Sequence, residues 1–553
     1  MATRIPASIT IAITVLFLLP IVYLSTATSP KEILAVASQH LTLTATINSV
    51  TYAALSAGLG VVMGTIYSWL VDRTDVPGRS ILRILILLPL GIPQFIKGLA
   101  WIFLLSPKIG IINVAFMNEF NMQTPLFNIF SLAGMILISS FGTVSLSYLI
   151  ISAALRGIDP LFEESSQVSG RGTFGTFVRV VLPILRPAIL AAFLLNFVGV
   201  LSLFDIAFII GIPARILTLI VYVYTSINST IPDYGFGAGL SFIYLAITLG
   251  LAFVYVYTTR RSYRFRTVGG KGGMETKILG LGKWKYAGLA LCLAILTISF
   301  FLLVAIIFLV SLTSSYNGQF ASFLKPTFAN YHVLFSDNIF WSALQTSFIV
   351  SLSAALITTL LATLFAYAIV RSQGLRSKIF DFLGFLPTSF PGVVYSLGLL
   401  WVFVRLPIVN TLYGTIWPII FSLIAIWIAR PIRVITSRLV QVSDDLENAA
   451  SVTGDRWIHV FRKIVLPLLA LSLFNSFVYV FIDSFRELGA VTLLGTGQTY
   501  TLTIYIQQLY SSNAASLGQV AAISSVMTVI MLVSLALALL LLKSRKTWVS
   551  ESL

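Results

Sequence analysis

Apolar residues gather along this chain into long runs separated by short polar stretches. A window of about 19 residues, roughly what a helix needs to cross a hydrocarbon core of about 30 Å, picks out twelve runs. They are 8–25, 48–71, 82–105, 131–154, 188–211, 237–258, 287–312, 343–370, 380–404, 414–429, 468–494 and 518–542. The pattern predicts an all-α polytopic membrane protein of about twelve transmembrane helices. The first run, preceded by Arg4, could be read as a signal peptide. No small-x-small cleavage site follows it, and Thr26–His40 lacks the character of a mature domain, so it is expected to remain as an anchor.

Composition agrees with the pattern. Of 553 residues 58% are apolar and 10% charged, with a mean hydropathy of +0.96, too greasy for a soluble domain to cover its own surface. The one cysteine, Cys292, lies in an apolar run, which excludes an internal disulfide and a cysteine-based metal site. His40, His332 and His459 form no spaced ligand set, so no metal site is expected.

The formal charge of +16 would suggest nucleic acid in a soluble protein. Here loop asymmetry accounts for it, and no nucleic-acid partner is expected. With the N-terminus placed in the cytoplasm and twelve spans alternating, 28 of the 35 Lys and Arg residues fall on the cytoplasmic side. The other seven are Lys31, Lys97, Lys108, Arg215, Lys325, Arg405 and Arg486. That asymmetry is the positive-inside rule, and it puts both termini in the cytoplasm of a multi-pass protein of the cytoplasmic (inner) cell membrane, in contact with the lipid bilayer.

The chain also repeats itself. The loop before the fifth run reads EESSQVSGRGTFGTFVRVVLP and the loop before the eleventh reads ENAASVTGDRWIHVFRKIVLP. At an offset of 284, Glu163 matches Glu447, Gly170 matches Gly454, Phe177 matches Phe461 and Pro183 matches Pro467. Further back the offset is 298, pairing Ser49 with Ser347, Arg73 with Arg371, Pro89 with Pro387 and Pro93 with Pro391. About 14 extra residues therefore sit in the first copy, most simply within 106–130. An even number of spans per copy gives both the same orientation. The expected units are 1–259 and 287–553, joined by a cytoplasmic linker, 260–286, with eight basic residues and the cluster GGKGG at 269–273. Binding of the basic linker to lipid headgroups is compatible with that role.

Each repeated loop combines a carboxylate, small residues, a glycine, an aromatic and Leu-Pro, which suits two short helices meeting at a turn. Gly170 or Gly454 can take the left-handed conformation at a helix end, and Ser165, Ser166, Ala449 and Ala450 offer a low-profile face. Proline then opens the next membrane helix. A partnerless interfacial helix is the plainer alternative, and it leaves the duplication unexplained.

The pattern E-x-A-A-x-x-x-G followed by an aromatic and L-P resembles the EAA loop of ATP-binding-cassette importer permeases of the type I, binding-protein-dependent class. The second copy matches through Glu447, Ala449, Ala450, Gly454, Phe461 and Pro467; the first, through Glu163, Gly170, Phe177 and Pro183, has Ser165 and Ser166 where the family has alanines. The resemblance implies a tandem repeat of two six-helix units whose two loops couple to two ABC ATPase subunits on the cytoplasmic side. It implies alternating access, with substrate delivered by an external or periplasmic solute-binding protein. No G-x-x-x-x-G-K-[ST] loop is present, so the chain is expected to be no enzyme and to bind no cofactor, with ATP and Mg held by the partner ATPase.

Fused permeases of this kind resemble the ferric-iron, thiamine, phosphonate and polyamine branches. FDIAFIIGIPARILTLIVYVY at 204–224 with PDYGFGAGLS at 232–241, and SFRELGAVTLL at 484–494, look most like the ferric-iron branch, although related branches share part of them. Charges inside spans mark pathways or internal pairs. The candidates are Asp205, Asp483, Arg486 and Glu487. Asp483 and Arg486 are three apart and suit a local ion pair, while Asp205 and Glu487 suit a path for a cation. An ion-driven secondary transporter would need a matched pair of intramembrane carboxylates across the repeat, and Asp205, Asp483 and Glu487 do not supply one. A non-transporting scaffold leaves the duplicated loop without a purpose.

Overall fold

The computed structural model describes residues 17–260, 278–372, 374–386, 390–443, 457–512 and 517–551. In the first half a helix over 17–25 (α1) is followed by Pro30–Ala37 (α2), His40–Arg73 (α3), Arg79–Leu85 (α4), Gln94–Leu105 (α5) and Leu132–Arg156 (α6). Pro160–Val168 (α7), Leu182–Leu201 (α8), Leu219–Ile227 (α9) and Tyr234–Arg260 (α10) complete it. The second half runs Trp284–Ser311 (α11), Asn338–Arg371 (α12), Leu375–Phe385 (α13), Gly392–Arg405 (α14), Trp417–Trp427 (α15) and Ala429–Leu439 (α16). It ends with Leu466–Phe485 (α17), Gly489–Leu494 (α18), Leu502–Ser512 (α19) and Leu517–Glu551 (α20).

Among the described residues eight helices are long and apolar enough to cross a bilayer, or ten if each of two bent pairs is one span. These correspond to ten of the twelve predicted runs; 8–25 and 380–404 fall partly outside the described residues. Four runs differ from a straight helix. Run 82–105 is broken, with Arg79–Gly91 and Gln94–Leu105 meeting at 95°, because Pro89 and Pro93 lack the N–H that would continue the ladder and disfavour helix in the residue before each. Run 414–429 becomes α15 and α16, bent by 49°, where Pro431 cannot donate to the carbonyl of Trp427. Runs 188–211 and 468–494 end early, at Leu201 and Phe485. Arg486 and Glu487 thus lie in the break after Phe485, Asp205 lies in a short helix, Phe204–Ile206, beyond the break at Ser202 and Leu203, and Asp483 lies within the last turn of α17.

Packing between α3 and α6 is close. α3 lies along α6, and a Cβ added at Gly60 would sit 1.9 Å from Thr143 Oγ1, one at Gly64 2.4 Å from Ser147 Cβ. Two glycines one turn apart thus let the helix backbones approach, in a setting where van der Waals contact replaces the hydrophobic effect.

The repeat is visible in bonds. Ser49 accepts from the Leu219 N–H and Ser347 from the Leu502 N–H, each at 2.8 Å, so one serine anchors the start of α9 and the other that of α19. Trp69 packs on Phe177 with ring centres 4.5 Å apart, and Tyr367 on Phe461 at 5.5 Å. Phe177–Val181 and Phe461–Val465 are both π-turns, and the N–H groups of Leu182 and Leu466 reach back five residues to Phe177 and Phe461. Pro183 and Pro467 explain the widening: neither can donate to the carbonyl four residues earlier, so the ladder shifts by one.

The halves interlock. Phe17 of α1 joins the second half's apolar core, and the Pro20 carbonyl lies 2.5 Å from a Cβ built at Gly398 of α14. Reciprocally, α11 packs on α5. The end of the expected linker is stitched down as well: Leu279, buried, donates to the Arg73 carbonyl at 2.8 Å, and the Asp75 carboxylate accepts from the Leu281 N–H at 2.8 Å.

Candidate functional site

The first repeated loop is built on α7. Asp159 caps its start by accepting from the Leu161 N–H at 3.0 Å. Its end closes with paired bonds, Arg171 N–H to the Ser166 carbonyl at 3.2 Å and Gly170 N–H to the Gln167 carbonyl at 2.9 Å. This closure needs the left-handed Gly170, φ +80°. Glu163 and Ser166 face inward. Glu163 meets Arg73 at 3.4 Å with both side chains almost fully buried, and Ser166 shares a 3.0 Å hydrogen bond with Thr176. Burial pushes the Glu163 carboxyl above its ordinary value, and the Arg73 guanidinium opposes the rise. Leu161, Phe162, Ser165 and Val168 point outward, Val168 at 89% exposure, and Phe174 beside them is exposed too. The loop therefore presents an apolar, low-profile face on a helix whose carboxylate is turned into the protein.

Arg73 holds this arrangement by also donating to the carbonyls of Leu155 and Ile158, at 2.6 and 2.8 Å. Arg371, its equivalent, donates to the carbonyl of Val442 at 3.2 Å, and Val442 is the equivalent of Ile158. In the second loop Glu447, Ala449, Ala450 and Gly454 lie outside the described residues; Phe461 and Pro467 are described, and Phe461 is buried. Phe177 and Phe461 thus anchor the loops from inside. Charge around the anchors differs between halves. Asp72 gathers Arg83 at 2.9 Å, Arg156 at 3.3 Å and Ser152, whereas the second half has Val370 at that position and pairs Asp381 with Arg433 at 2.6 Å.

The second cluster lies where the halves meet. A Cβ at Gly489 would be 3.1 Å from Phe204 Cβ, across the boundary. Arg486 donates to the Leu90 carbonyl of the other half at 2.6 Å and pairs with Asp483, so the expected local ion pair forms. Arg430 reaches the same carboxylate at 3.9 Å and lies over the Tyr479 ring. Glu487 Oε1 accepts from the Ala490 N–H at 3.3 Å and is 3.9 Å from a Cβ built at Gly392, the first residue of α14. Asp205 lies near the Phe95 N–H, in the first turn of α5. The sequence offset aligns no carboxylates within the spans, yet the fold sets Asp205 near the start of α5 and Glu487 near the start of α14, where unpaired N–H groups and the helix dipole favour a negative charge. The next turn of α5 adds Lys97, only 2% exposed.

The family model described as binding-protein-dependent transport system inner membrane component matches residues 56–262 and again residues 358–546. The chain belongs to this family. The two matches make it a fused permease of two type I halves, a non-enzymatic transport component of the inner membrane. The ferric transport system permease protein FbpB of Actinobacillus pleuropneumoniae is 25% identical over 511 residues, covering 91% of this chain and 72% of the relative. The Fe(3+)-transport system permease protein FbpB 2 of Haemophilus influenzae is 26% identical over 451 residues, 81% of this chain and 80% of that one. A probable molybdenum ABC transporter permease of Haloferax volcanii is 29% identical over 233 residues, 42% of this chain and 81% of the relative.

Within this family frame, several residues escaped the sequence reading. Lys97 stands inside the predicted run 82–105, and the alternation of spans places it with the outer-side charges; its burial removes it from that group, and its position within a run is the signal for it. The spacing of Leu161, Ser165 and Val168 marks one helical face, legible once α7 is known to be helical.

Proposed function

We propose that this chain is the permease of an ATP-driven importer that carries ferric iron, handed over by an external binding protein, across the cytoplasmic membrane by alternating access. One observation carries the substrate: relatives named for ferric iron align with both halves, over 91% and 81% of the chain, while the relative named for molybdenum covers 42%. The basic end, with both termini and α7, faces the cytoplasm in this reading. There the outward face of α7 and its counterpart around Ala449 and Ala450 dock into two ATPase subunits, which hydrolyse ATP in trans. Glu163 and Glu447 position the docking helices, Gly170 and Gly454 turn the chain, and Phe177, Phe461, Pro183 and Pro467 connect them to the membrane helices that rock. Asp205 and Glu487 line the path between the halves, and the Asp483–Arg486 pair supports it.

The test is uptake of radiolabelled iron, thiamine and 2-aminoethylphosphonate by cells expressing the chain with its ATPase and binding protein. ATP-dependent uptake of iron alone is expected. Uptake of thiamine or the phosphonate in its place moves the chain to another branch, and uptake without the ATPase overturns the coupling scheme.

A further inference from the structure

Lys97 is a buried amine without an anion. It is 2% exposed, and among the described residues no carboxylate or hydrogen-bond acceptor pairs with it. Arg486, another cation, lies close enough to act on it. Gln94 stands three residues earlier, on the same face of α5, and its carboxamide oxygen is buried without a partner. Gly142 of α6 leaves room for that carboxamide, since a Cβ there would lie 3.3 Å from Gln94 Oε1. Nearby carboxylates are already engaged: Asp205 at the first turn of α5, Glu487 at Ala490, Asp483 with Arg486 and Arg430. A buried unpaired cation is costly, and the fold does not require one here. The equivalent position in the second half is Tyr395, also buried.

We propose that Lys97, with Arg486, is an anion-receiving subsite in the path, so that the cargo crosses as ferric ion still carrying a carboxylate or phosphate ligand. The substrate half of this inference rests on the iron reading above. A bare trivalent cation beside Lys97 and Arg486 meets repulsion from both. An anionic oxygen on the metal complex instead supplies the missing partner of Lys97, while Asp205 and Glu487 face the metal side of the same complex. Removing a water-exposed charge would change little, but this amine is desolvated, and its attraction for an anion is correspondingly strong.

The experiment has two readings on the full-length chain. Purified wild type, K97M, K97R and K97Y are dialysed to equilibrium against labelled citrate or labelled orthophosphate. Saturable binding is expected for wild type and K97R, with dissociation constants at least tenfold weaker in K97M and K97Y. K97Y copies the residue of the other half, which keeps the test clear of misfolding. The better-bound of the two probes identifies the ligand class. Equal binding by wild type and K97M, or no binding by wild type, overturns the subsite. Iron uptake per folded molecule is then measured from ferric citrate and from ferric phosphate, with K97M expected to lose tenfold or more. Unchanged uptake by K97M also overturns the proposal. If wild type carries no iron yet binds an oxyanion through Lys97, the iron reading fails and the subsite stands for an anionic cargo.

Discussion

Arg73, the last residue of α3, and Glu163, in the first turn of α7, form a buried ion pair with 3.4 Å between Nε and Oε1. The contact is ionic without an aligned hydrogen bond, for neither carboxylate oxygen has a donor. Its meaning lies in what it joins. A membrane helix of 34 residues is fixed to the short helix of the repeated loop, so a push on α7 moves α3. Such a pair gives little net stability, because desolvation offsets the attraction, but removing one partner strands the other in a dry site.

Arg73→Ala is expected to destabilise the purified chain by about 3 kcal/mol or more, since it removes the ion pair and two carbonyl contacts. Glu163→Gln keeps the shape but leaves Arg73 buried without its carboxylate, and is expected to cost about 3 kcal/mol. Because burial raises the Glu163 carboxyl above 4.5, the folded state holds a proton that the unfolded chain has released. The Glu163 contribution to stability therefore grows as pH falls through its folded value and is lost as pH rises through it. Thermal melts in detergent across acidic pH should show this slope in wild type and not in Glu163→Gln; parallel curves would remove Glu163 as its source.

Docking and folding separate at the exposed face of α7. Val168→Asp and Phe174→Asp alter side chains at 89% and 70% exposure, so the melting temperature should hold while ATPase co-purification and uptake are lost. Gly170→Ala forces an L side chain into φ +80°, at a cost of about 1–2 kcal/mol, and should weaken coupling more than abundance. Gly454→Asp should abolish uptake with the protein still in the membrane. Survival of both transport and ATPase co-purification in Gly454→Asp would detach the loop from coupling.

What could be read from the sequence follows from what is periodic or repeated. The positions 163, 170, 177 and 183 recur 284 residues on, so the loop, its glycine turn and its proline entry were legible. The inward direction of Glu163 was not, because it depends on Arg73, 90 positions away in sequence, meeting it in space. Hydropathy found the run 82–105, yet hydropathy carries no angle; Pro89 and Pro93 signalled the break only once the lost N–H groups are counted. The carboxylates Asp205 and Glu487 are equivalent in the fold but sit at different registers in the two copies, so an alignment by offset passes them by.

Topology is tested with single cysteines in a Cys292→Ser background, a substitution at a fully buried position. Cysteine at Phe120, within 106–130, or at Phe328, within 313–340, should react with an impermeant reagent added outside intact cells; both side chains are exposed. Cysteine at Val168 or Gly272 should react only after the membrane is opened. Labelling of either of these from outside would invert the twelve-span arrangement and with it the placement of the ATPase.

The path is tested by neutralising the two carboxylates at the helix starts. Asp205→Asn with Glu487→Gln keeps side-chain size and the hydrogen-bond acceptors near Phe95 and Ala490, so the protein should reach the membrane at close to normal level. Uptake of iron per folded molecule is expected to fall tenfold or more, about 1.4 kcal/mol in the transition state, while binding-protein association and ATPase docking persist. Asp483→Asn serves as the contrast. It leaves Arg486 without its carboxylate inside the membrane, costs a few kcal/mol and should lower abundance first. Measuring both variants together separates the roles: a reduced rate at normal abundance for the double variant places Asp205 and Glu487 on the path. A normal rate at reduced abundance assigns them, like Asp483, to holding the halves together.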